Sequence, residues 1–188
     1  MEGQYLFHKN WDISLYFEIA EELGINIGLD YLSSSYFNRL MDKKPEISLQ
    51  QLIEKYKGKR VLILGAGPSL EANLKTLLAN HVLNKFIIIA ADGASYALKK
   101  MAGVNPDFIV TDLDGYPEKE VEMSNSGSVA VVHSHGDNIG AITRFVPKLR
   151  ALIGTTQCEP HGKLYNFGGF TDGDRSVYFA MALEPELI

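Results

Sequence analysis

Apolar residues follow a helical spacing in the first part of the chain. They recur every three to four positions in three stripes, at 11–23, 32–40 and 49–56, which predicts three amphipathic helices. The first stripe stops near Gly24, and the KGK string at 57–59 is typical of a helix end followed by a short linker. The pattern therefore predicts a small N-terminal helical segment.

The rhythm then changes to apolar strands that alternate with helical stretches. The continuous runs RVLIL, KFIII, DFIVT and SVAVV are typical of strands buried on both faces, and a helical stretch follows each of them. This alternation predicts an α/β fold with a Rossmann-like, mostly parallel sheet and helices on both faces. We expect an N-terminal helical cap over 1–57 and a Rossmann-like catalytic domain over 58–188.

Composition and charge exclude several classes of function. The 188 residues are 46 % hydrophobic and 22 % charged, which is ordinary for a globular domain. A formal net charge of −5 argues against nucleic acid or an anionic membrane surface as a partner. The chain shows no signal-peptide pattern and no membrane-length apolar run, and Cys158 is its single cysteine. These features favour a cytoplasmic protein without an intrachain disulfide.

Polar and glycine residues gather in five loops that follow the predicted strands. The loops read GAGPS, ADGAS, TDLDG, HSHGDN and GGFTDGDRS. Ligands of open parallel sheets bind outside the carboxyl ends of the strands, so the five loops should share one edge of the sheet. The sequence therefore predicts an active site at that edge.

The first loop is suited to a phosphate but matches no complete motif. Gly65 and Gly67 would let backbone amides approach a phosphate at the start of the next helix. Position 70 is leucine and no Gly-Lys-Ser/Thr string follows, so the loop is neither a full dinucleotide fingerprint nor a Walker A loop. A tight turn in which Ser69 caps the helix is an equal alternative.

Asp112 and Asp114 carry the strongest chemical signal. In a strand or early turn, residues i and i+2 point the same way, so both carboxylates could face one Mg²⁺ ion. A turn with a capping aspartate is one alternative. A nucleophilic aspartate is another, because TDLDGY resembles the DxDGT signature of haloacid dehalogenase-class phosphatases. Tyr116 in place of threonine, and two strand–helix units before the motif, favour the metal site.

The HSHGDN loop supplies further polar candidates. Alternate histidines suggest zinc, but zinc needs three or four ligands and Cys158 is no obvious partner. His133 is equally suited to a buried strand, whereas His135 and Asp137 are better placed for the rim. Asp137 and Asn138 could orient a ligand or a metal-bound water, or could cap the next helix.

Two more loops offer capping or ligand-binding residues. Asp92 at the end of the second strand is suited to cap the helix that follows, or to bind a ligand at the edge of the sheet. Arg175 has a guanidinium that matches phosphate oxygens, with Thr171 and Asp172 just before it. A capping cluster around a solvated Arg175 is the alternative.

In this order, the five loops resemble the archaeal 6-hydroxymethyl-7,8-dihydropterin diphosphokinases over about residues 60–183. The N-terminal segment, with Trp11 and Asp30, is similar to the helical cap of that family. A more distant similarity is to thiamine pyrophosphokinase, because ADGA and PDFIVTDLDG stand where that family has ADGG and PD followed by GDxDS. The HGDN string differs from the acidic string usual in thiamine pyrophosphokinases.

The resemblance implies transfer of diphosphate from ATP to the hydroxymethyl group of a reduced pterin, with release of AMP. It implies Mg²⁺ as cofactor and ATP as co-substrate. We also expect a homodimer. The implied Mg²⁺–ATP site is lined by Asp92, Asp112, Asp114 and Asp137. The GAGPS loop, Gly93 and Arg175 would contact the phosphates. A general base would be Asp137 or His135. Asn138 and the 168–172 loop, with Thr171 and Asp172, would border the pterin.

Other functions stay open from the sequence. A thiamine pyrophosphokinase, a nucleotide-sugar glycosyltransferase of the flagellin-modification type and a non-catalytic nucleotide-binding module all suit an acidic DxD string in a Rossmann-like domain. The resemblance also leads us to expect one more strand after DRSVYFAMAL, where the sequence ends at EPELI.

Overall fold

The computed structural model describes residues 13–188, so Trp11 lies outside the described residues. The strands in this part of the chain are β1 Val61–Leu64, β2 Ile87–Ala91, β3 Phe108–Thr111, β4 Val129–Ser134, β5 Leu152–Thr156 and β6 Leu164–Tyr165. The α-helices are α1 Ile13–Leu23, α2 Ile27–Met41, α3 Leu49–Tyr56, α4 Leu70–Ala79, α5 Gly93–Ala102, α6 Pro117–Asn125, α7 Ile139–Phe145 and α8 Asp172–Ala182. None of these helices is both long and apolar enough to cross a membrane.

The strands form one parallel sheet in the order β1-β2-β3-β4-β5-β6. Because every pairing is parallel, the carboxyl ends of these strands lie along one edge. The predicted α/β fold is confirmed, and the sheet is entirely parallel rather than mostly so.

Helices cover both faces of the sheet, as predicted. Alternate residues of β4 show the two sides: Val131 packs in the cluster formed with α3 and α8, whereas Ala130 and Val132 pack in the cluster formed with α2 and α7. A further cluster joins β1 and β2 to α4 and α5. Burial on both faces explains why the strands read as continuous apolar runs.

The N-terminal helices begin and end near the predicted positions. Helix α1 stops before Gly24, whose φ of +67° suits glycine, and α3 ends before Gly58, with a φ of +70°. Helix α2 starts earlier than its apolar stripe, because the Asn26 side chain accepts a hydrogen bond from the Leu29 amide and caps it. Helices α2 and α3 contribute to the two sheet cores, and the domain boundary near residue 57 stays a prediction.

Candidate active site

A cavity of about 400 Å³ opens at the carboxyl edge of the sheet. Its polar wall includes Asp112, His135, Asp137 and Arg175, which come from three of the predicted loops. Its other walls come from the turn between α1 and α2, the start of α2, and the 168–172 loop. The structure therefore brings the third, fourth and fifth loops together, and it places the N-terminal helices beside them.

Asp112 and Asp114 lie on a left-handed turn after β3. Strand β3 ends at Thr111, and Leu113 has a φ of +70°, a conformation that costs a residue with a side chain roughly 1–2 kcal/mol. Two contacts hold it: the Leu113 amide donates to Oγ1 of Thr111 at 2.8 Å, and the leucine side chain is buried in the core beside α2 and α7. The turn, rather than strand alternation, brings the two carboxylates together.

The two carboxylates of this turn have opposite pKa shifts. Hydrogen bonding to Asp112, burial, and then the charges of Asp112 and Asp92 raise the pKa of Asp114 to about 6. Burial alone would raise the pKa of Asp112, but hydrogen bonds from His135 and Asp114 outweigh it, and the net shift is downward. A proton or a cation between Asp112 and Asp114 therefore relieves their repulsion.

Asp92 faces the same region and does not cap α5. Its side chain bonds no amide of that helix, and the residue has a strained φ of +37°. Its carboxylate lies against Gly115, where an added Cβ would come 2.7 Å from Cγ of Asp92. The capping interpretation of Asp92 is thus wrong, and Gly115 is required by the close approach of the carboxylate.

Glu120 on α6 is a buried carboxyl group that sequence reasoning missed. It is fully buried, and its Oε2 accepts a hydrogen bond from the Thr111 hydroxyl at 3.0 Å. Burial first, and then hydrogen bonding to Asp92, raise the pKa of Glu120 to about 9. At neutral pH Glu120 is therefore protonated and can donate to Asp92. The string around it, EKEVEM, is typical of a charged helix exposed to solvent, so the sequence does not indicate that Glu120 is buried.

The HSHGDN loop uses Asn138 as an internal brace. The Asn138 side chain donates to the carbonyl oxygens of Asp112 at 2.9 Å and His133 at 2.7 Å, and it accepts from the His135 amide at 3.0 Å. It is buried, so its polar atoms hold the ends of β3 and β4 together. Asp137, by contrast, is exposed and lines the cavity.

The two histidines of this loop have different surroundings. His133 is buried against Thr155, and burial followed by the charge of Arg175 lowers its pKa well below the ordinary range. It is a buried strand histidine, as the sequence allowed, but only Nδ1 is paired, and Nε2 has no hydrogen-bond partner among the described residues. His135 lies on the rim, and its hydrogen bond to Asp112 raises its pKa.

Arg175 at the start of α8 is buried rather than solvated. It is 8 % exposed, and its Nη1 donates to Oδ1 of Asp172 at 3.3 Å. Burial first, then the charges of Asp112 and Asp92, raise the pKa of Asp172 to about 7, which puts Asp172 in the same acidic region. Thr171 and Asp174 form a capping box at the helix start. The capping interpretation therefore holds for Thr171 and not for Arg175.

The GAGPS loop stands apart from the cavity. Gly65, Gly67 and Ser69 are exposed, and an added Cβ at either glycine would meet no atom within 4 Å. Ser69 makes no side-chain cap to α4, and its hydroxyl accepts a hydrogen bond from Asn73 at 3.3 Å instead. The loop thus leaves room for a ligand along its backbone.

The acidic region has the chemistry of a Mg²⁺ site without a closed ligand set. Among residues 13–188, no group of three or more His, Cys, Asp or Glu side chains is arranged to hold a metal ion. Oδ1 of Asp92 and Oδ1 of Asp112 are nevertheless buried, and no N–H or hydroxyl group within that part of the chain donates to either. Neighbouring carboxylate oxygens whose only close partners are other carboxyl groups suit a hard divalent cation. The residues present therefore fit Mg²⁺.

Asp30 on α2 is a second residue whose place the sequence did not reveal. It is 1 % exposed and lines the cavity, and its carboxylate receives hydrogen bonds from three parts of the chain. Its position one turn after the Asn26 cap is typical of a helix start. No sequence pattern indicates which other segments that helix start contacts.

Ligands of a parallel α/β sheet bind at its carboxyl edge, and an acidic cavity there suits a transferase that handles phosphate groups with a divalent cation. Residues 37–188 match the family described as 6-hydroxymethylpterin diphosphokinase MptE-like. The chain belongs to this family, as its loops predicted.

Three archaeal relatives are named 6-hydroxymethyl-7,8-dihydropterin pyrophosphokinase. The chain is 42 % identical to the one from Methanothermobacter thermautotrophicus, over 89 % of this chain and 70 % of the relative. It is 39 % identical to the one from Methanocaldococcus jannaschii, over 92 % of this chain and 73 % of the relative. It is 36 % identical to the one from Pyrococcus furiosus, over 88 % of this chain and 68 % of the relative. The predicted enzyme class, a diphosphotransferase, is confirmed.

Proposed function

We propose that this enzyme transfers diphosphate from ATP to the hydroxymethyl group of 6-hydroxymethyl-7,8-dihydropterin and releases AMP. The observation that carries the proposal is the acidic region around Asp92, Asp112 and Asp114, which adjoins a cavity large enough for a small heterocycle. The names of the three relatives supply the acceptor.

Asp92, Asp112 and Asp114 would hold Mg²⁺, and Asp172 lies close enough to share its field. The ion would neutralise charge on the phosphate oxygens as the β-phosphorus is attacked. Protonated Glu120 would hold the Asp92 carboxylate in place over Gly115. The chain therefore contributes mainly positioning and electrostatics, as is usual in phosphoryl transfer.

Asp137 is the better candidate for the general base. Both ring nitrogens of His135 are engaged: Nε2 contacts Asp112 at 3.3 Å, and Nδ1 accepts from the Asp137 amide at 3.4 Å. A neutral His135 therefore has no free lone pair for a substrate proton. Asp137 is exposed in the cavity, and within residues 13–188 no hydrogen bond holds its carboxylate. Its carboxylate would take the proton of the attacking alcohol as the Pβ–O bond to AMP breaks.

Two features would bind the phosphates on either side of the acidic region. Arg175 lines the cavity and is oriented by Asp172, so its guanidinium could receive the phosphate that is transferred. The GAGPS loop would bind a phosphate through the backbone amides around Gly65 and Gly67 at the start of α4. Asn138 would act on the pterin only indirectly, since its polar atoms brace the loop. Cytoplasmic location and a homodimer stay predictions.

The proposal is tested by acceptor choice. The protein is incubated with ATP and Mg²⁺, together with 6-hydroxymethyl-7,8-dihydropterin, thiamine or no acceptor, and AMP is measured by chromatography. We expect AMP only with the pterin. AMP with thiamine alone would make the chain a thiamine pyrophosphokinase. ATP binding without AMP from either acceptor would leave a nucleotide-binding module or a different transferase.

A further inference from the structure

We infer that the 400 Å³ cavity binds the ring of the acceptor, and that Asp30 is a positioning residue that holds one wall of it. The inference rests on the proposed function, because it assigns a place to the acceptor of that reaction. It makes the N-terminal helices part of the substrate site rather than a separate cover.

The lining of the cavity suits a planar heterocycle. Leu23, Ile25, Leu29 and Phe170 offer apolar surface for the faces of a ring, while Gln157 and the carboxylates line the remainder. A volume of about 400 Å³ is within the range of small-molecule pockets, about 300–1,000 Å³. The cavity thus combines apolar surface with a few polar groups, as ligand sites do.

The same lining separates the acceptor from the nucleotide. Asp112 and Arg175 line the cavity, so a ring inside it would present its substituent to the phosphate-handling groups. The described residues that line the cavity include neither the GAGPS loop nor Asp92 and Gly93. The cavity is therefore on the acceptor side of the acidic region.

Asp30 links the start of α2 to three other segments by hydrogen bonds. Its Oδ2 accepts from the Tyr16 hydroxyl on α1 at 2.7 Å and from Nε2 of Gln157 after β5 at 2.6 Å. Its Oδ1 accepts from the Gly136 amide at 2.6 Å. Buried carboxylates with several donors are held strongly, and replacing the carboxylate leaves buried donors unsatisfied. Asp30 therefore fixes the position of α1, α2 and the HSHGDN loop relative to one another.

Gly136 lets the loop approach α2 this closely. A Cβ at Gly136 would lie 2.7 Å from Cβ of Leu29 and 3.3 Å from Oδ1 of Asp30. An alanine there would push the loop away from α2 and carry His135 and Asp137 with it. The contact between Gly136 and Asp30 thus determines where two cavity-lining residues stand.

Gly136→Ala and Asp30→Asn test the inference, with Gly140→Ala as matched control, because a Cβ at Gly140 meets nothing within 4 Å. Steady-state kinetics give KM for the pterin, KM for ATP, and kcat. We expect both test variants to raise the pterin KM about tenfold or more, with the ATP KM within about twofold of wild type. The control should match wild type. An unchanged pterin KM, or an equal rise in both KM values, would overturn the inference.

Direct binding separates this inference from the proposed function. The fluorescence of oxidised 6-hydroxymethylpterin is titrated with each protein in the absence of ATP. If wild type forms no AMP and binds no pterin, both proposals are overturned. If wild type turns over and the Gly136→Ala variant binds pterin as well as wild type does, only the inference about the cavity is overturned. If Asp30→Asn does not fold, Tyr16→Phe removes one of the three donors, and a smaller rise in the pterin dissociation constant is expected.

Discussion

Nε2 of His135 lies 3.3 Å from Oδ2 of Asp112, and this contact joins the loops that follow β3 and β4. Because the other ring nitrogen accepts a backbone hydrogen bond, neutral His135 donates to Asp112 from Nε2. The contact contributes to the lowered pKa of Asp112 and keeps that carboxylate ionised. We therefore propose that His135 orients an acidic group and that it does not accept a proton from substrate.

This relationship predicts different losses at two neighbouring residues. Asp137→Asn should lower kcat by about 10²–10⁴-fold, the usual contribution of a general base. His135→Gln retains a donor for Asp112 and should cost less than about tenfold. Both are measured as AMP release at saturating ATP and pterin. A His135→Gln loss as large as that of Asp137→Asn would show that the histidine is the base.

Gly115→Ala should displace the Asp92 carboxylate, because the added Cβ would lie 2.7 Å from its Cγ. A displacement of about 1 Å in a positioned group can cost about 10²-fold in rate. We expect the Mg²⁺ concentration for half-maximal activity to rise and kcat to fall. Gly140→Ala serves as the control. Wild-type magnesium dependence in Gly115→Ala would remove Asp92 from the metal site.

Gly67→Ala tests the phosphate role of the GAGPS loop without disturbing the fold. The added Cβ meets no protein atom within 4 Å, and no positive φ is recorded at Gly67, so thermal stability should match wild type. A phosphate bound to the loop would meet the new methyl group, and KM for ATP should rise by about tenfold. An unchanged KM for ATP would indicate that the loop is only a tight turn and binds no phosphate.

Glu120→Gln should change the pH dependence of stability. The pKa of Glu120 is raised to about 9 in the folded protein, from 4.5. Its stabilising effect is therefore complete below pH 4.5 and is lost as pH rises towards 9. Without added metal, the unfolding temperature of Glu120→Gln should rise relative to that of wild type as the pH increases from 5 to 9. Each kcal/mol of unfolding free energy that wild type loses corresponds to about 2–4 °C.

Melting curves in a chelator, taken across that pH range, make the comparison. Glu118→Gln is the matched control, because Glu118 lies on the same helix and its side chain is 61 % exposed. A constant difference between Glu120→Gln and wild type at every pH would contradict the raised pKa.

The sheet could be predicted from the sequence because its strands carry their own signal. The β-branched runs at β1 to β4 are buried on both faces, and each polar loop follows a strand end directly. The left-handed Leu113 could not be predicted, because leucine rarely adopts that conformation and only its buried side chain holds it there.

The burial of Glu120 and of Asp30 could not be predicted for a related reason. Each carboxylate lies on a helix, and only tertiary packing decides whether it faces inward. The roles expected for Arg175 and Asn138 needed the same information, since Arg175 proved buried and Asn138 became a brace. Residue type and spacing indicate a candidate, whereas burial and partners are properties of the fold.

Asp112 is the residue on which the proposed diphosphate transfer to a pterin depends most. Phosphorus NMR of wild type and Asp112→Asn, each with ATP, Mg²⁺ and 6-hydroxymethyl-7,8-dihydropterin, tests it most directly. We predict that wild type forms AMP and an ester carrying two phosphates, and that folded Asp112→Asn forms neither. Formation of ADP and a pterin monophosphate, or wild-type turnover by Asp112→Asn, would contradict the account.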